Sequence, residues 1–314
     1  LQAEKLKILR RVLGDGYKAS PSEYLFYCPK CDHHKKKLAV RLDKGFHCWV
    51  CDYSGRNIRR LIRSHGTYTD RKAWNKFENQ IDISDFELIL RNLGQEEEEK
   101  IELELPREFQ TLVKRKLPIS SLAPRRYLRG RGLTKDEIYK WKIGYCNSGE
   151  YEGFIIIPSF DLFGELNFFV ARCYDGGWRK YKNPKIPRNR IIFDELFLDF
   201  KDDLTIVEGV FDAIATGDNS VPLLGSTLSV KSKLFHEIIK NQTTVFLALD
   251  ADADKKTMKI VDNLLEYGIE VYKIDTTGYE DVAVMPKEIF LERKQNAMEM
   301  NVSNSLLYRA LSVK

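Results

Sequence analysis

The sequence predicts an α/β chain, α+β overall, with a small cysteine-clasped unit ahead of a larger unit built on a parallel sheet. Two observations lead there. Cys28-x2-Cys31 and Cys48-x2-Cys51 stand sixteen residues apart, a spacing that suits one tetrahedral zinc ion and a zinc ribbon around it. Further on, the apolar runs Leu204 to Glu208, Thr243 to Asp250 and Ile269 to Asp275 alternate with helical stretches. That alternation implies parallel strands joined by right-handed crossovers.

The 314 residues carry a formal net charge of +5, which is uninformative until it is divided along the chain. Residues 1–66 sum to +9, 67–105 to −6, 106–200 to +7 and 201–314 to −5. Two basic blocks suit a polyanion, and an acidic block suits cations. With 43% hydrophobic and 31% charged residues the chain is not broadly disordered. No apolar run reaches the roughly 18 residues of a membrane span, so no membrane partner is expected. The Leu1–Leu13 segment lacks the apolar core and cleavage site of a secretory signal. The expected compartment is the cytoplasm, where clustered cysteines argue for metal before disulfides.

In chain order, Leu6, Leu9, Val12 and Leu13 have the spacing of an amphipathic helix. Lys37 to His47 reads as a hairpin that brings the two cysteine turns together. Lys35, Lys36, Lys37, Arg41 and Lys44 lie between the cysteine pairs, with Phe46 and Trp49 nearby. Basic and stacking groups on a small sheet suit single-stranded nucleic acid. Packing in a tiny core suits Phe46 equally well, and packing against the metal site is the default for Trp49. His33, His34 and His47 are surface residues beside a site already closed by four thiolates. Arg56 to Ser64 continues as a basic helix. Residues 67–105, ending in the acidic run Gln95 to Lys100, are read as a linker.

Past Pro106 and Pro118, Thr134 and Glu137 form a capping-box signature for a helix to Tyr139 or Lys140. Phe154 to Pro158 and Glu165 to Arg172 read as strands around an Asp161–Gly164 turn. Tyr174 to Arg190 has no periodicity and reads as a basic loop. Its cations, with Arg125, Arg126, Arg129, Arg131 and Arg172, either track phosphates or form a solvated surface.

Glu208 ends the first apolar run and Asp250-x-Asp252 ends the second. Ligand sites in such sheets lie at the carboxyl ends of strands, so these acids converge on one edge. Carboxylates gathered there repel one another unless cations bind, and hard oxygen donors select Mg²⁺ or Mn²⁺. Asp254 follows as a candidate helix cap, and Gly268 closes the helix that ends at Tyr267.

Glu208-Gly-Val-Phe-Asp212 with Asp250-x-Asp252 resembles the TOPRIM signature. Tyr127-Leu-Arg-Gly-Arg-Gly-Leu133 and Trp141-Lys-Ile-Gly-Tyr145 resemble the start of the catalytic core of DnaG-type primases. Ala171-Arg172 and Lys180-Tyr-Lys-Asn183 resemble that family's basic ridge, and Leu224-Gly-Ser-Thr-Leu228 its loop between the acidic strands. Phe46 to Cys51, then Ser54-Gly55, resembles its zinc domain, in the four-cysteine form of phage members. The resemblance implies a DNA primase, a DNA-directed RNA polymerase making short primers on single-stranded DNA from ribonucleoside triphosphates. Glu208, Asp250 and Asp252 would be catalytic and hold Mg²⁺ or Mn²⁺, with Asp212 and Asp281 assisting. Arg131, Arg172, Lys180 and Asn183 would grip template or nucleotide. Cys28, Cys31, Cys48 and Cys51 would hold one structural zinc, and a separate replicative helicase would be the partner.

The implied domains are a zinc-binding domain over 1–66, the acidic linker over 67–105 and a basic subdomain of the core over 106–200. A TOPRIM Rossmann-like subdomain over 201–284 and a helical tail over 285–314 follow. The sequence departs from the family after Asp252, where Ala-Asp-Lys-Lys replaces small residues, and at Ala283, where an acid is common. These departures keep open a non-catalytic DNA-binding or loading module. A TOPRIM nuclease or topoisomerase ranks last, for want of arch domains.

Overall fold

The apolar stripe predicted at the N-terminus becomes α1 (Gln2–Leu13), whose Ile8, Leu9 and Leu13 are buried. In the computed structural model, residues 2–310 are described except 32, 43–44, 56–57, 76, 78–102, 218, 226, 302–303, 306 and 309. The acidic run at Gln95–Lys100, Lys44 and Arg56 therefore lie outside the described residues. Two compact units emerge, Leu1–Glu87 and Leu88–Lys314.

In the first unit, β1 (Tyr17–Ser20), β2 (Glu23–Phe26), β3 (Leu38–Arg41), β4 (Gly45–Cys48) and β5 (Ser54–Gly55) form an antiparallel sheet in that order. The predicted hairpin is the β3–β4 pair, with Leu38 opposite Cys48 and Arg41 opposite Gly45. Gly45 has φ +116°, a backbone conformation that costs a side chain dearly. The helices α2 (Arg59–His65) and α3 (Tyr68–Asn75) complete the unit. Trp74 of α3 is fully buried with Leu9, Phe26, Val40, Leu61 and Ile62. Residues 68–75 thus belong to the zinc-binding unit, not to a linker beginning at 67. The acidic balance of that stretch conceals one large core residue.

The second unit starts with an antiparallel sheet of β6 (Gln110–Thr111), β7 (Gly144–Cys146), β8 (Phe154–Phe160) and β9 (Leu166–Cys173). Helices α4 (Leu122–Gly130) and α5 (Lys135–Lys140) precede β7. The Thr134–Glu137 capping box forms as predicted, each residue bonding the other's backbone N–H. Strands β8 and β9 are buried on both faces, which explains their unbroken apolar runs. Ile155, Ile157, Phe168 and Val170 face one core, and Phe154, Ile156, Phe169 and Ala171 face another. Leu103 and Leu105, placed in the linker by charge alone, pack against the latter.

The second sheet runs β11 (Ser220–Pro222), β10 (Leu204–Val207), β12 (Val245–Ala248), β13 (Val271–Lys273) and β14 (Met298–Glu299). The first four strands are parallel, and β14 pairs antiparallel with β13. Their connections carry α6 (Val210–Thr216), α7 (Lys233–Asn241), α8 (Asp254–Glu266) and α9 (Lys287–Gln295). The sheet therefore continues past 284: α9 leads into β14 at Met298–Glu299, so this stretch joins the core rather than forming a separate tail. Phe290 of α9 enters the core shared by both sheets. Among the described residues no helix is long and apolar enough to cross a membrane.

Candidate metal and phosphate sites

In the first unit, β2 leads into the turn bearing Cys28 and Cys31, and β4 ends on Cys48 ahead of the turn bearing Cys51. Asp52 takes φ +53°, which lets its N–H donate to the Cys48 carbonyl oxygen and closes that turn. The four sulfurs lie within 4.8 Å of one another, the one such metal-competent group of His, Cys, Asp or Glu among the described residues. Cys28 Sγ stands 3.7 Å from Cys51 Sγ, and Cys31 Sγ 3.9 Å from Cys48 Sγ. A tetrahedron with Zn–S bonds of about 2.3 Å has edges of about 3.8 Å, so the thiols fit zinc. Burial pushes the Cys28 thiol up to about 12. At Cys48 burial acts in the same direction, but the Cys51 and Val50 backbone N–H groups outweigh it and bring the thiol to about 7.

Trp49 does not pack on the cysteines. It is 67% exposed and stands edge-on to His47, with ring centroids 4.6 Å apart. With Glu23, Arg41, His47 and Ser54 it lines a groove of about 380 Å³ on the sheet face. Phe46, by contrast, is a core residue.

In the second unit the strand order places β10 between β11 and β12, so the chain reverses direction across the sheet there. Such a switch point opens a crevice at the strands' carboxyl ends. Val207 pairs with Ala248, so Glu208 and Asp250 emerge beside each other on that crevice. The Leu224 N–H donates to the Glu208 carbonyl oxygen at 2.9 Å, which fixes the backbone of the acid. Asp250 is half-buried, and its Oδ1 is a buried oxygen with no hydrogen-bond partner. Burial, reinforced by the charges of Glu208, Asp212, Asp281 and Asp252, lifts its carboxyl to about 7. Asp252 is exposed at the start of the following turn.

Asp212 is almost fully buried and accepts from the backbone N–H groups of Gly209 (2.8 Å) and Ala283 (3.0 Å). Burial, with the charges of Asp281 and Glu208, raises it to about 6 despite those bonds. Asp281 accepts from the Val284 N–H at 3.1 Å and caps a short 3-10 turn. Asp254 is the first residue of α8, not its cap, and accepts from the Tyr308 hydroxyl.

Two residues at this site escape a reading of the sequence. Lys256, in the first turn of α8, hydrogen-bonds Glu208 as an ion pair. Tyr127 accepts through its hydroxyl from Arg131 Nε at 2.9 Å and from Arg172 Nε at 2.8 Å. The Arg172 guanidinium also lies over the Tyr181 ring at 4.8 Å, and that of Arg131 over Phe211 at 4.5 Å. Phe211 immediately precedes Asp212, so basic and acidic halves meet at the start of α6. Lys180 is exposed on the loop after β9. The Asn183 Oδ1 accepts from the Ala171 N–H and pins that loop to the strand. Only the Tyr127-Leu-Arg-Gly-Arg segment hints at the tyrosine, and the departure at Ala253 to Lys256 contains the lysine without indicating its partner.

The fold has counterparts among solved structures. A DnaG primase catalytic domain bound to single-stranded DNA superposes with a TM-score of 0.53 at 18% identity, covering 62% of this chain and 77% of that one. The zinc-binding and RNA polymerase domains of Aquifex aeolicus primase superpose at 0.51 and 17% identity, covering 95% and 84%. The E. coli primase catalytic core gives 0.51 at 17% identity, covering 62% and 78%. No family model matches the sequence, and no curated protein does. The second unit thus has the fold of DnaG-type primase catalytic cores, preceded by a unit whose four cysteines cluster as a zinc site does.

Proposed function

We propose that this chain is a DNA primase, which joins ribonucleotides into short primers on a single-stranded DNA template. The observation that carries the reading is Glu208 and Asp250-x-Asp252 at the switch point between β10 and β12, with a buried Asp250 Oδ1 that has no hydrogen-bond partner. Carboxylate oxygens are the donors Mg²⁺ or Mn²⁺ selects, and an ion held by these acids would clamp a triphosphate and lower the pKa of an attacking 3′-hydroxyl. The protein's own contribution is positional. Asp212 ties the turn after Glu208, through the Gly209 N–H, to the 3-10 turn at Val282–Val284, through the Ala283 N–H, and Asp281 caps the latter. The Tyr127-bridged pair Arg131 and Arg172 holds phosphates of nucleotide or template, with Lys180 beside the same strand. The fold's occurrence in a primase domain bound to single-stranded DNA supports that partner. In the first unit, zinc on Cys28, Cys31, Cys48 and Cys51 fixes the groove bearing Arg41, His47 and Trp49, which reads the template. The reaction takes place in the cytoplasm, on template opened by a separate helicase.

The test is ribonucleotide incorporation by the zinc-loaded full chain on a varied set of single-stranded DNAs, with Mg²⁺ or Mn²⁺. Asp250→Ala and Asp252→Ala should abolish product. Absence of product from the wild type on every template, with a helicase added, refutes the reading. A second reading, a non-catalytic DNA-binding or loading module, draws on the Lys256–Glu208 pair, since one acid is already neutralised. It predicts DNA binding that persists without divalent metal and no incorporation.

A further inference from the structure

The three strand-end acids are not equivalent. Glu208 is engaged by the Lys256 ammonium, and both side chains are sheltered, 23% and 24% exposed. Opposite charges in a partly buried setting attract more than they do at the surface. The contact is built into the fold at both ends. Leu224 fixes the Glu208 backbone, and the turn after β12 is closed by the Ala253 N–H on the Asp250 carbonyl oxygen at 2.9 Å. The Thr257 N–H and hydroxyl then both bond the Ala253 carbonyl oxygen, at 2.8 and 3.0 Å, which starts α8 with Lys256 reaching Glu208 just past the end of β10. On the other arm, Asp250 Oδ1 has no partner and Asp252 is exposed.

From this division we infer that Lys256 is the tethered cation of the Glu208 arm, and that the crevice accepts one divalent ion, on Asp250 and Asp252. The inference rests on the metal-binding reading of the crevice given above. An ammonium supplies one positive charge and three N–H donors. It balances Glu208 and keeps donors for an anionic phosphate oxygen, where an otherwise similar site would take a second ion. Lys256 is therefore a positioning group for substrate phosphate, fixed in the sequence and independent of metal concentration.

Counting bound Mn²⁺ by electron paramagnetic resonance on the zinc-loaded full chain tests this without any activity measurement. Wild type should bind one Mn²⁺ in the crevice, and Lys256→Arg, which keeps the charge, should also bind one. Lys256→Met and Lys256→Gln should bind two, and adding Glu208→Gln to Lys256→Met should return the count to one. Asp252→Asn alone should bind none. Two ions in wild type, or one in both Lys256→Met and Lys256→Gln with folding intact by circular dichroism, overturns the lysine's role and leaves the crevice a metal site. No Mn²⁺ in folded wild type overturns the metal reading itself, and this inference with it.

Discussion

Asp250→Asn should stabilise the metal-free protein while it removes function. The Asp250 carboxyl is lifted from 3.8 to about 7, first by burial and then by four neighbouring carboxylates. In the unfolded chain the same group ionises near 3.9. Above pH 7 the folded protein therefore holds a carboxylate it resists, and below about pH 4 neither state does. Stability of the metal-free protein falls as pH rises through that window, because the folded state releases its proton later. Three decades of proton affinity correspond to about 4 kcal/mol. Solvent reaching a half-buried group screens this, so roughly 2 kcal/mol is the working figure.

An asparagine amide has nearly the same shape and no charge, so it should recover that amount at pH 8 and nothing at pH 4. For a unit of this size 1 kcal/mol moves the melting temperature by about 2–4 °C, giving roughly 4–8 °C at pH 8. Calorimetry is the assay, with the core transition identified as the one insensitive to zinc chelation. Mg²⁺ should raise the wild-type core transition at pH 8 and move that of the variant much less. An Asp250→Asn core that melts below wild type at pH 8, or whose gain is equal at pH 4 and 8, refutes the electrostatic account.

Other perturbations have equally definite outcomes. Tyr127→Phe deletes the acceptor shared by Arg131 and Arg172; single-stranded DNA affinity, measured by fluorescence anisotropy, should drop by about 1–2 kcal/mol, and the core transition should fall by a similar amount because the buried Arg172 loses a partner. Lys233→Met strands Glu195, which is fully buried and bonded to Lys233 at 2.9 Å. Lys233 is itself a third exposed, so the cost should be roughly 2–3 kcal/mol rather than the full value for a buried pair. Burial raises the Glu195 carboxyl, so this loss should shrink in acid, as denaturant titration at two pH values would show. Trp74→Ala should cost about 3–5 kcal/mol in the zinc-unit transition alone; an effect confined to the core transition would contradict the assignment of 68–75 to the first unit.

What the sequence reveals follows from what each feature depends on. Cysteine spacing encodes a local turn twice over, so the thiol cluster is legible from spacing alone. Strands β10 and β12 are legible because burial on both faces demands unbroken apolar runs, with acids visible as breaks at their ends. Strand β13, partly exposed at Tyr272 and Lys273, is legible from its place after the α8 stretch. Strand β11 is not: three residues ending in Pro222 sit at the sheet edge, where proline is tolerated and no long apolar run is required. Strand β14 is a two-residue antiparallel addition that owes its position to α9 packing through Phe290. Block charge hides the Trp74 helix, because it averages away one decisive apolar residue. Trp49 departs from its expected place because adjacency to ligands in sequence does not fix the face on which a side chain emerges. The Lys256–Glu208 contact joins residues 48 positions apart, and only the start of α8 and the parallel pairing together bring them to one place.

The partners chosen for the charged groups explain how the crevice can keep opposite charges close without cancelling them. Among the described residues no ion pair joins Arg131 or Arg172 to Glu208, Asp250 or Asp252. The guanidinium groups are held by the Tyr127 hydroxyl and by the faces of Tyr181 and Phe211. These neutral partners fix geometry and leave each net charge in place for a ligand. Arg172 is only 9% exposed, so without such partners its burial would be costly. Aromatic side chains thus do two jobs, holding the cations in register with α6 and keeping them off the acids. A carboxylate partner in place of Tyr127 would secure the arginines more tightly and would quench the phosphate site. Within the crevice Glu208 is the exception: of Glu208, Asp250 and Asp252 it alone, among the described residues, is given a cation by the chain itself. The same logic that protects the arginines from neutralisation therefore singles out Lys256 as a component of the site rather than an incidental neighbour.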